Sequence, residues 1–344
     1  VHFGEPLATS AMKAAVPERE RLLQKIFNAT LASHVSQLWS IPTDCPQREK
    51  RGWMADGGLS ASSLATFYDS EAFHTNFLRL IRDNQRKGCS VQPITNHDKP
   101  CSCDSAHGAV AQAACRNASS VASWFNGSVP DVVPFTTSPY GSNPGTVDWQ
   151  IAYVQVARAL LLHYGDRVVP ALAELWDSLQ SFMQYLEKLV DESTGLLLLG
   201  ARGDWIPPKL QQYPTPSGSV AAFTHTLCLS YMAEIAQAVG RTDDAAHYLK
   251  RFQSNQKSYH RQFFNGQNAA ASASSSSNVA GQVRCCYDSG SQASNMFALH
   301  LGAVPEEYMN DTLGMLVASI RDRNASAPAL LVARSSLSPP LLGS

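Results

Sequence analysis

Charge is scarce in this chain. Asp, Glu, Lys and Arg make up 16% of its 344 residues, with 27 Lys+Arg against 28 Asp+Glu and a net charge of -1, where about 25% charged is usual. No basic cluster stands out, which argues against a nucleic-acid partner, since such binding needs a positive stripe to displace counterions. Long apolar runs are missing too. The longest, around Leu196–Leu199, falls far short of the ~20 residues that cross a bilayer, so no membrane partner is expected. Strand-type alternation is nearly absent. No His and Cys spacing suits zinc, and no metal or cofactor is expected. The sequence starts at Val1 without a charged-then-apolar leader, so it reads as a fragment or a processed form.

What is abundant is apolar residue content, 44%, enough for a large core, and it is arranged with a helical period. Leu22, Leu23, Ile26, Phe27, Leu31, Val35 and Leu38 form one stripe. A second runs through Leu64, Phe67, Tyr68, Phe73, Phe77, Leu78 and Ile81, and a third from Ile151 to Tyr164. The third stops at Gly165, a natural left-handed helix end, and the pattern resumes through Leu172, Trp176, Phe182 and Leu186. Leu227 to Val239, Gly240, then Tyr248 to Phe263 repeat that layout, and a last pair spans Met296–Leu301 and Tyr308–Ile320. Helix, tight glycine turn, helix is the αα-hairpin. Repeated hairpins bury their apolar faces on one another in a solenoid or a closed ring. The spacing shows no fixed repeat period, which favours an all-α double ring over residues 1–322.

Three stretches interrupt the pattern. Residues at about 87–124 hold Cys89, Cys101, Cys103 and Cys115, half of the eight cysteines, and read as an inserted loop pinned by one or two disulfides. Residues at about 269–280 are Ser/Ala-rich and read as a loop. Residues 323–344 lose helical periodicity and form a divergent, irregular tail. Acceptor sequons at Asn28, Asn117, Asn126, Asn310 and Asn324, together with the clustered cysteines, point to a glycoprotein of the secretory route, secreted or luminal.

One connection carries the chemistry. Between the first two helical stripes runs Ile41-Pro42-Thr43-Asp44-Cys45-Pro46-Gln47-Arg48-Glu49-Lys50-Arg51-Gly52-Trp53-Met54-Ala55-Asp56. The prolines forbid a regular helix at its start, and loops fixed on a rigid scaffold are where binding residues gather. A sugar site needs carboxylates for hydroxyls, an aromatic plane for the apolar ring face, and one carboxyl kept protonated by burial or by neighbouring carboxylates. Glu49, between Asp44 and Asp56, is the expected protonated group. The same run also reads as a surface ion-pair loop in which Arg48 and Arg51 neutralise Asp44 and Asp56, and the residues alone leave both readings open.

The run TDCPQREKRGWMAD resembles the fingerprint of the bacterial-type α-L-rhamnosidases, glycoside hydrolase family 78. The likeness extends in order through Arg82-Asp83-Asn84-Gln85, Val129–Pro134, Tyr164-Gly165-Asp166, Gly203-Asp204-Trp205, Ala236–Arg241 and Ala298–Pro305. It implies an (α/α)6 toroid of the six-hairpin glycosidases, incomplete at its C-terminus, that releases terminal α-L-rhamnose from a glycoside or polysaccharide with inversion. It further implies Glu49 as general acid, Asp44, Arg48 and Asp56 as ligands of the rhamnose hydroxyls, and Trp53 as pocket lining. Trp205 would be a second aromatic wall, with Asp204 beside it. Asp148 is expected to cap a helix, with contact by Trp149 doubtful; His225, His247 and His300 to be packed or exposed; and Cys45 to pack.

An inverting glycosidase also needs a second carboxylate about 6.5–9.5 Å from the acid. In the family this is a glutamate in a Trp-Glu pair. No Trp-Glu occurs here, and no glutamate follows Glu307. The expectation is therefore an impaired enzyme or a fragment lacking flanking domains. A catalytically inactive, carbohydrate-binding remnant is the alternative.

Overall fold

The computed structural model describes residues 18–87, 125–135, 143–205, 215–266 and 286–322. The described elements are α1 (Glu18–Ser36), α2 (Met54–Phe67), α3 (Glu71–Asp83), the single turn α4 (Val147–Gln150), α5 (Ala152–Tyr164), α6 (Val169–Glu187), α7 (Ser217–Ala238) and α8 (Thr242–Phe263). They continue with β1 (Phe264–Asn265), β2 (Cys286–Tyr287), α9 (Gln292–His300) and α10 (Glu306–Asp322). The strands form one short antiparallel pair, Phe264 opposite Tyr287. The expected insertion (apart from Lys87), Ser/Ala-rich loop and tail lie outside the described residues.

Composition decides the layer each helix occupies. α7 is buried without interruption from Ser219 to Ala236, and α5 from Ala152 to Leu160; a helix with apolar residues on every side is enclosed on every side, and the charges these two carry, Arg158 and Glu234, pair with each other inside. α8, by contrast, buries Ala245, Tyr248, Phe252, Tyr259 and Phe263, a single stripe. α2, α5, α7 and α9 pack in succession as an inner layer, backed by α3, α6, α8 and α10. Each inner helix is thus followed by its outer partner, the αα-hairpin arrangement of a toroid, as the sequence led us to expect. Gly165 ends α5 at φ 55, and its N–H reaches Leu161 O; a 3-10 turn, Gly165–Val168, then leads into α6.

Two expectations need correction. The stripe from Leu64 to Ile81 is two helices. Tyr68 is extended at φ -137, ψ 146, and the Tyr164 hydroxyl takes the Ser70 N–H at 2.8 Å, so the chain turns at Tyr68–Ser70. The stripe of α1 is real but faces outward: the helix has no buried residue, and Leu22, Leu23 and Ile26 are 57%, 56% and 54% exposed.

In such a layout the inner helices run parallel, so the segments that enter them gather at one end. The segments before α2, α5, α7 and α9 are where the chemistry-bearing residues lie.

Candidate active site

The loop that enters α2 is folded on its own hydrogen bonds. Asp44 Oδ1 accepts the Arg51 N–H at 2.8 Å, the Cys45 thiol donates to Asp44 Oδ2 at 2.6 Å, and Cys45 Sγ accepts the Glu49 N–H at 3.2 Å. Cys45 therefore ties the loop together as well as packing. Lys50 turns the chain at φ 53. Gly52 then passes close against the 129–133 segment: Val133 N donates to Gly52 O at 2.8 Å, and Trp53 pairs with Val132. A Cβ on Gly52 would run into the Val133 carbonyl oxygen, so glycine is required here by contact with backbone.

That registry places Glu49 and Trp53 together. The Trp53 indole N–H donates to Glu49 Oε2 at 2.8 Å, and Arg48 Nη2 lies 3.1 Å from Glu49 Oε1. The Glu49 side chain is 21% exposed and Arg48 77%; the carboxyl is held at the loop surface against the indole and does not extend into bulk water. Arg48 is paired to Glu49, not to Asp44 as the ion-pair reading had it.

Asp56 lies in the first turn of α2, not in the loop. Burial pushes its carboxyl up to about 6, with the charges of Asp44 and Glu49 adding to the shift. Burial and like charge, the causes that keep a carboxyl protonated, act together on Asp56, one helical turn beyond Trp53. Asp44, Cys45 and Glu49 also bring their side-chain ligand atoms within 4.8 Å of one another, but the thiol and backbone hydrogen bonds already account for that arrangement.

A second wall is built by the segments that enter α5 and α7. Asp131, fully buried, accepts the Thr146 N–H at 2.7 Å on one oxygen and Arg202 Nη2 at 2.8 Å on the other. Asp148 Oδ2 accepts the N–H groups of Arg202 (2.9 Å) and Gly203 (3.3 Å). Asp148 is therefore no cap. Thr146 holds the N-cap position without a side-chain cap bond, and Asp148 fastens the 202–205 segment instead. Burial pushes its carboxyl up to about 6. Trp149 meets Trp205 edge to face at 5.6 Å between ring centroids. Arg202 lies over Trp53, Trp149 and Trp205, 6.0, 5.1 and 5.7 Å from their centroids, and thereby joins the two walls. Asp204 accepts the Thr215 hydroxyl at 3.1 Å, and Thr215 reaches Ser291 at the entry to α9 (2.6 Å).

The structure thus gathers Glu49, Trp53 and Asp56 on one side and Trp205 with Asp204 on the other. Between them lie Arg202, Asp131 and Asp148, of which only Asp148 stands out in the sequence, as a helix cap. The signal of the other two was adjacency: Arg202 stands directly before Gly203-Asp204-Trp205, and Asp131 lies within the Pro-flanked Val129–Pro134 run. Of the three histidines singled out, His225 is buried, His300 partly buried and His247 exposed.

The family described as the bacterial alpha-L-rhamnosidase 6 hairpin glycosidase domain matches residues 13–342. An alpha-L-rhamnosidase of Streptomyces avermitilis is 26% identical over 305 residues, covering 88% of this chain but 23% of that protein. The solved alpha-L-rhamnosidase of Dictyoglumus thermophilum superposes with a TM-score of 0.65 at 25% identity, covering 89% of this chain and 28% of that one. A Streptomyces avermitilis alpha-L-rhamnosidase solved with L-rhamnose gives a TM-score of 0.65 at 22% identity, over 90% of this chain and 23% of that one, a likeness of fold. The chain spans about a quarter of the length of these relatives. It belongs to the bacterial α-L-rhamnosidase six-hairpin glycosidase family.

Proposed function

We propose that this chain carries the sugar-binding and proton-donating side of an α-L-rhamnosidase, a glycoside hydrolase that releases terminal α-L-rhamnose with inversion. The observation that carries this reading is the Glu49–Trp53 pair, a carboxyl hydrogen-bonded to an indole at 2.8 Å, set between carboxylates and facing a second wall of tryptophans. Indole faces suit the apolar face of a deoxy-sugar, and carboxylates suit its hydroxyls. Glu49 donates the proton to the departing glycosidic oxygen. Asp44, Arg48 and Asp56 hold ring hydroxyls, and Trp53 and Trp205 line the pocket with Asp204 at its edge. Burial, with the charges of Asp44 and Glu49, holds the Asp56 carboxyl up at about 6.

The test is turnover of an aryl α-L-rhamnoside. Glu49→Gln should cost about 10²–10⁴-fold in kcat, the range of a lost general acid, while L-rhamnose still binds. Equal turnover in wild type and Glu49→Gln sinks the assignment of the acid; if Asp56→Asn alone abolishes turnover, the acid is Asp56. Inversion is read by following the anomer of the released sugar by NMR. A secretory location is supported by the sequons, among which Asn28 stands on the exposed side of α1; a mass shift on glycosidase treatment of protein from its native source tests it.

A further inference from the structure

The geometry points to Arg202 as a substrate-binding residue that donates hydrogen bonds to the sugar's vicinal hydroxyls from between the three tryptophans. The inference rests on the rhamnosidase reading and adds to it a cation from outside the Asp44–Asp56 run. Three observations carry it.

First, the guanidinium is held in place. Asp131, itself fully buried, takes one of its N–H groups at 2.8 Å, and Asp148 accepts the backbone N–H groups of Arg202 and of Gly203 after it. Second, its other donors have no acceptor among the described residues, although the side chain is only 28% exposed. Donors that meet only water can exchange it for a sugar hydroxyl without giving up a contact within the protein. Third, two more polar atoms nearby are buried without a partner, Asp148 Oδ1 and the Trp149 indole nitrogen. Asp148 is 2% and Trp149 7% exposed. Free guanidinium donors, a free carboxylate oxygen and a free indole N–H, all in the segments that meet at Arg202, are the complement of a polyol, which both donates and accepts.

The planar fork of an arginine fits two adjacent acceptors, which a vicinal diol and a carboxylate both offer. Charge decides between them. Asp131 already neutralises the guanidinium, and Asp148 and Asp204 flank the same segment, so a neutral diol is favoured over an acidic sugar.

The experiment is a titration of L-rhamnose followed by tryptophan fluorescence and calorimetry, on wild type and on Arg202→Met, which keeps the apolar stem against the indoles and removes the donors. Affinity should fall about tenfold to a hundredfold, the range of one or two charged hydrogen bonds, with a cooperative melt retained. Arg202→Ala should lose affinity likewise and regain it in millimolar guanidinium chloride, but not in sodium chloride of equal strength; packing alone would give no such rescue. If Arg202→Met does not melt cooperatively, Arg202→Lys, which keeps the charge opposite Asp131 but lacks the fork, is read on the same scale and should also be weakened. Unchanged affinity in the readable variant, absence of rescue, or wild-type preference for galacturonate over L-rhamnose each overturns the assignment. A wild type that answers to no L-rhamnose at all removes the rhamnosidase reading and this inference with it, whereas intact wild-type binding with an unaffected Arg202 variant removes this inference alone.

Discussion

α7 and α1 are both long helices legible in the sequence, yet they end on opposite sides of the hydrophobic divide. From Ser219 to Ala236 every residue of α7 is buried; in α1 none is. The difference lies in what surrounds the apolar positions. α7 carries Ala221, Ala222, Ala233 and Ala236 between its larger residues, small side chains that let α5 and α8 approach from different directions. α1 carries a single stripe with Arg19, Arg21, Lys25 and Glu20 around it, and it is followed by the Asp44–Trp53 loop, which touches the body through Gly52 and Trp53. Apolar periodicity reports that a helix forms. Whether its stripe contributes the ~1.5–3 kcal/mol of a buried leucine depends on a partner that periodicity does not name.

The largest effect is expected in the interior of α7. Arg158 of α5 and Glu234 of α7 form an ion pair at 2.9 Å, their side chains 3% and 5% exposed, with the Tyr231 ring 4.4 Å from the guanidinium. Glu234→Ala leaves a buried cation uncompensated and should cost about 3–5 kcal/mol in urea unfolding. Replacing both partners by methionine should recover most of that loss. A cost below ~1 kcal/mol would mean that α7 tolerates change as the surface does, and the contrast with α1 would disappear.

Next is the junction between the N-terminal arm and the body. In Gly52→Ala the new methyl meets the Val133 carbonyl, so either the Trp53–Val132 pairing or the loop must move. About 1–3 kcal/mol of stability should be lost, and aryl-rhamnoside turnover should fall further than stability does, because Glu49 is positioned by Trp53. If stability falls and turnover per folded molecule does not, the loop takes no part in the chemistry.

How far all this could be read beforehand follows the same divide. The helices and their hairpin order were legible in the apolar period, whereas the division into inner and outer layers appears only in the burial of α7 on all sides and of α8 on one. The break at Tyr68–Ser70 was not, since the apolar period runs through it and the turn is fixed by a hydroxyl on Tyr164, far away in sequence. The Asp44–Asp56 run was legible as chemistry because its residues are contiguous. Asp131, Asp148 and Arg202 become a unit only when the entries to α5 and α7 meet in space, and no sequence window contains them. Asp148, at the start of a helix, has the local signature of a cap, and its tertiary partners overrode that role.

Burial that stabilises leucine in α7 works against a carboxylate, and pH exposes this. Asp56 and Asp148 are pushed up to about 6 from an unfolded value of 3.8. Between those values the folded chain holds the extra protons, so both groups lower stability as pH rises from about 4 to 6, and the loss is complete above that window. Asp148→Asn should therefore gain about 1–3 kcal/mol relative to wild type at neutral pH, an advantage that vanishes below about pH 4. His74, which burial holds down to about 4, has the opposite slope. Neutral in the folded chain, it costs stability as pH falls from its unfolded 6.5 towards 4. Subtracting the variant's urea curve from the wild-type curve at each pH cancels His74 and leaves Asp148. A difference that does not change with pH would contradict the burial of its charge.

The smallest effect is expected on α1, and it tests the comparison from the other end. Leu22, Leu23 and Ile26 already meet water, so Gln at each should change stability by no more than about 0.5 kcal/mol, against 2–5 kcal/mol for Leu229→Ala in α7. Phe27 differs within the same stripe, because its ring meets Phe67 edge to face at 5.2 Å, a contact worth about 0.5–1.5 kcal/mol. The order Leu229, then Phe27, then Leu22, Leu23 and Ile26 is therefore fixed by how much of each side chain has left water. If the α1 substitutions cost 2 kcal/mol or more apiece, the outward stripe is covered in solution, and α1 belongs with α7 as a helix whose apolar face has found its partner.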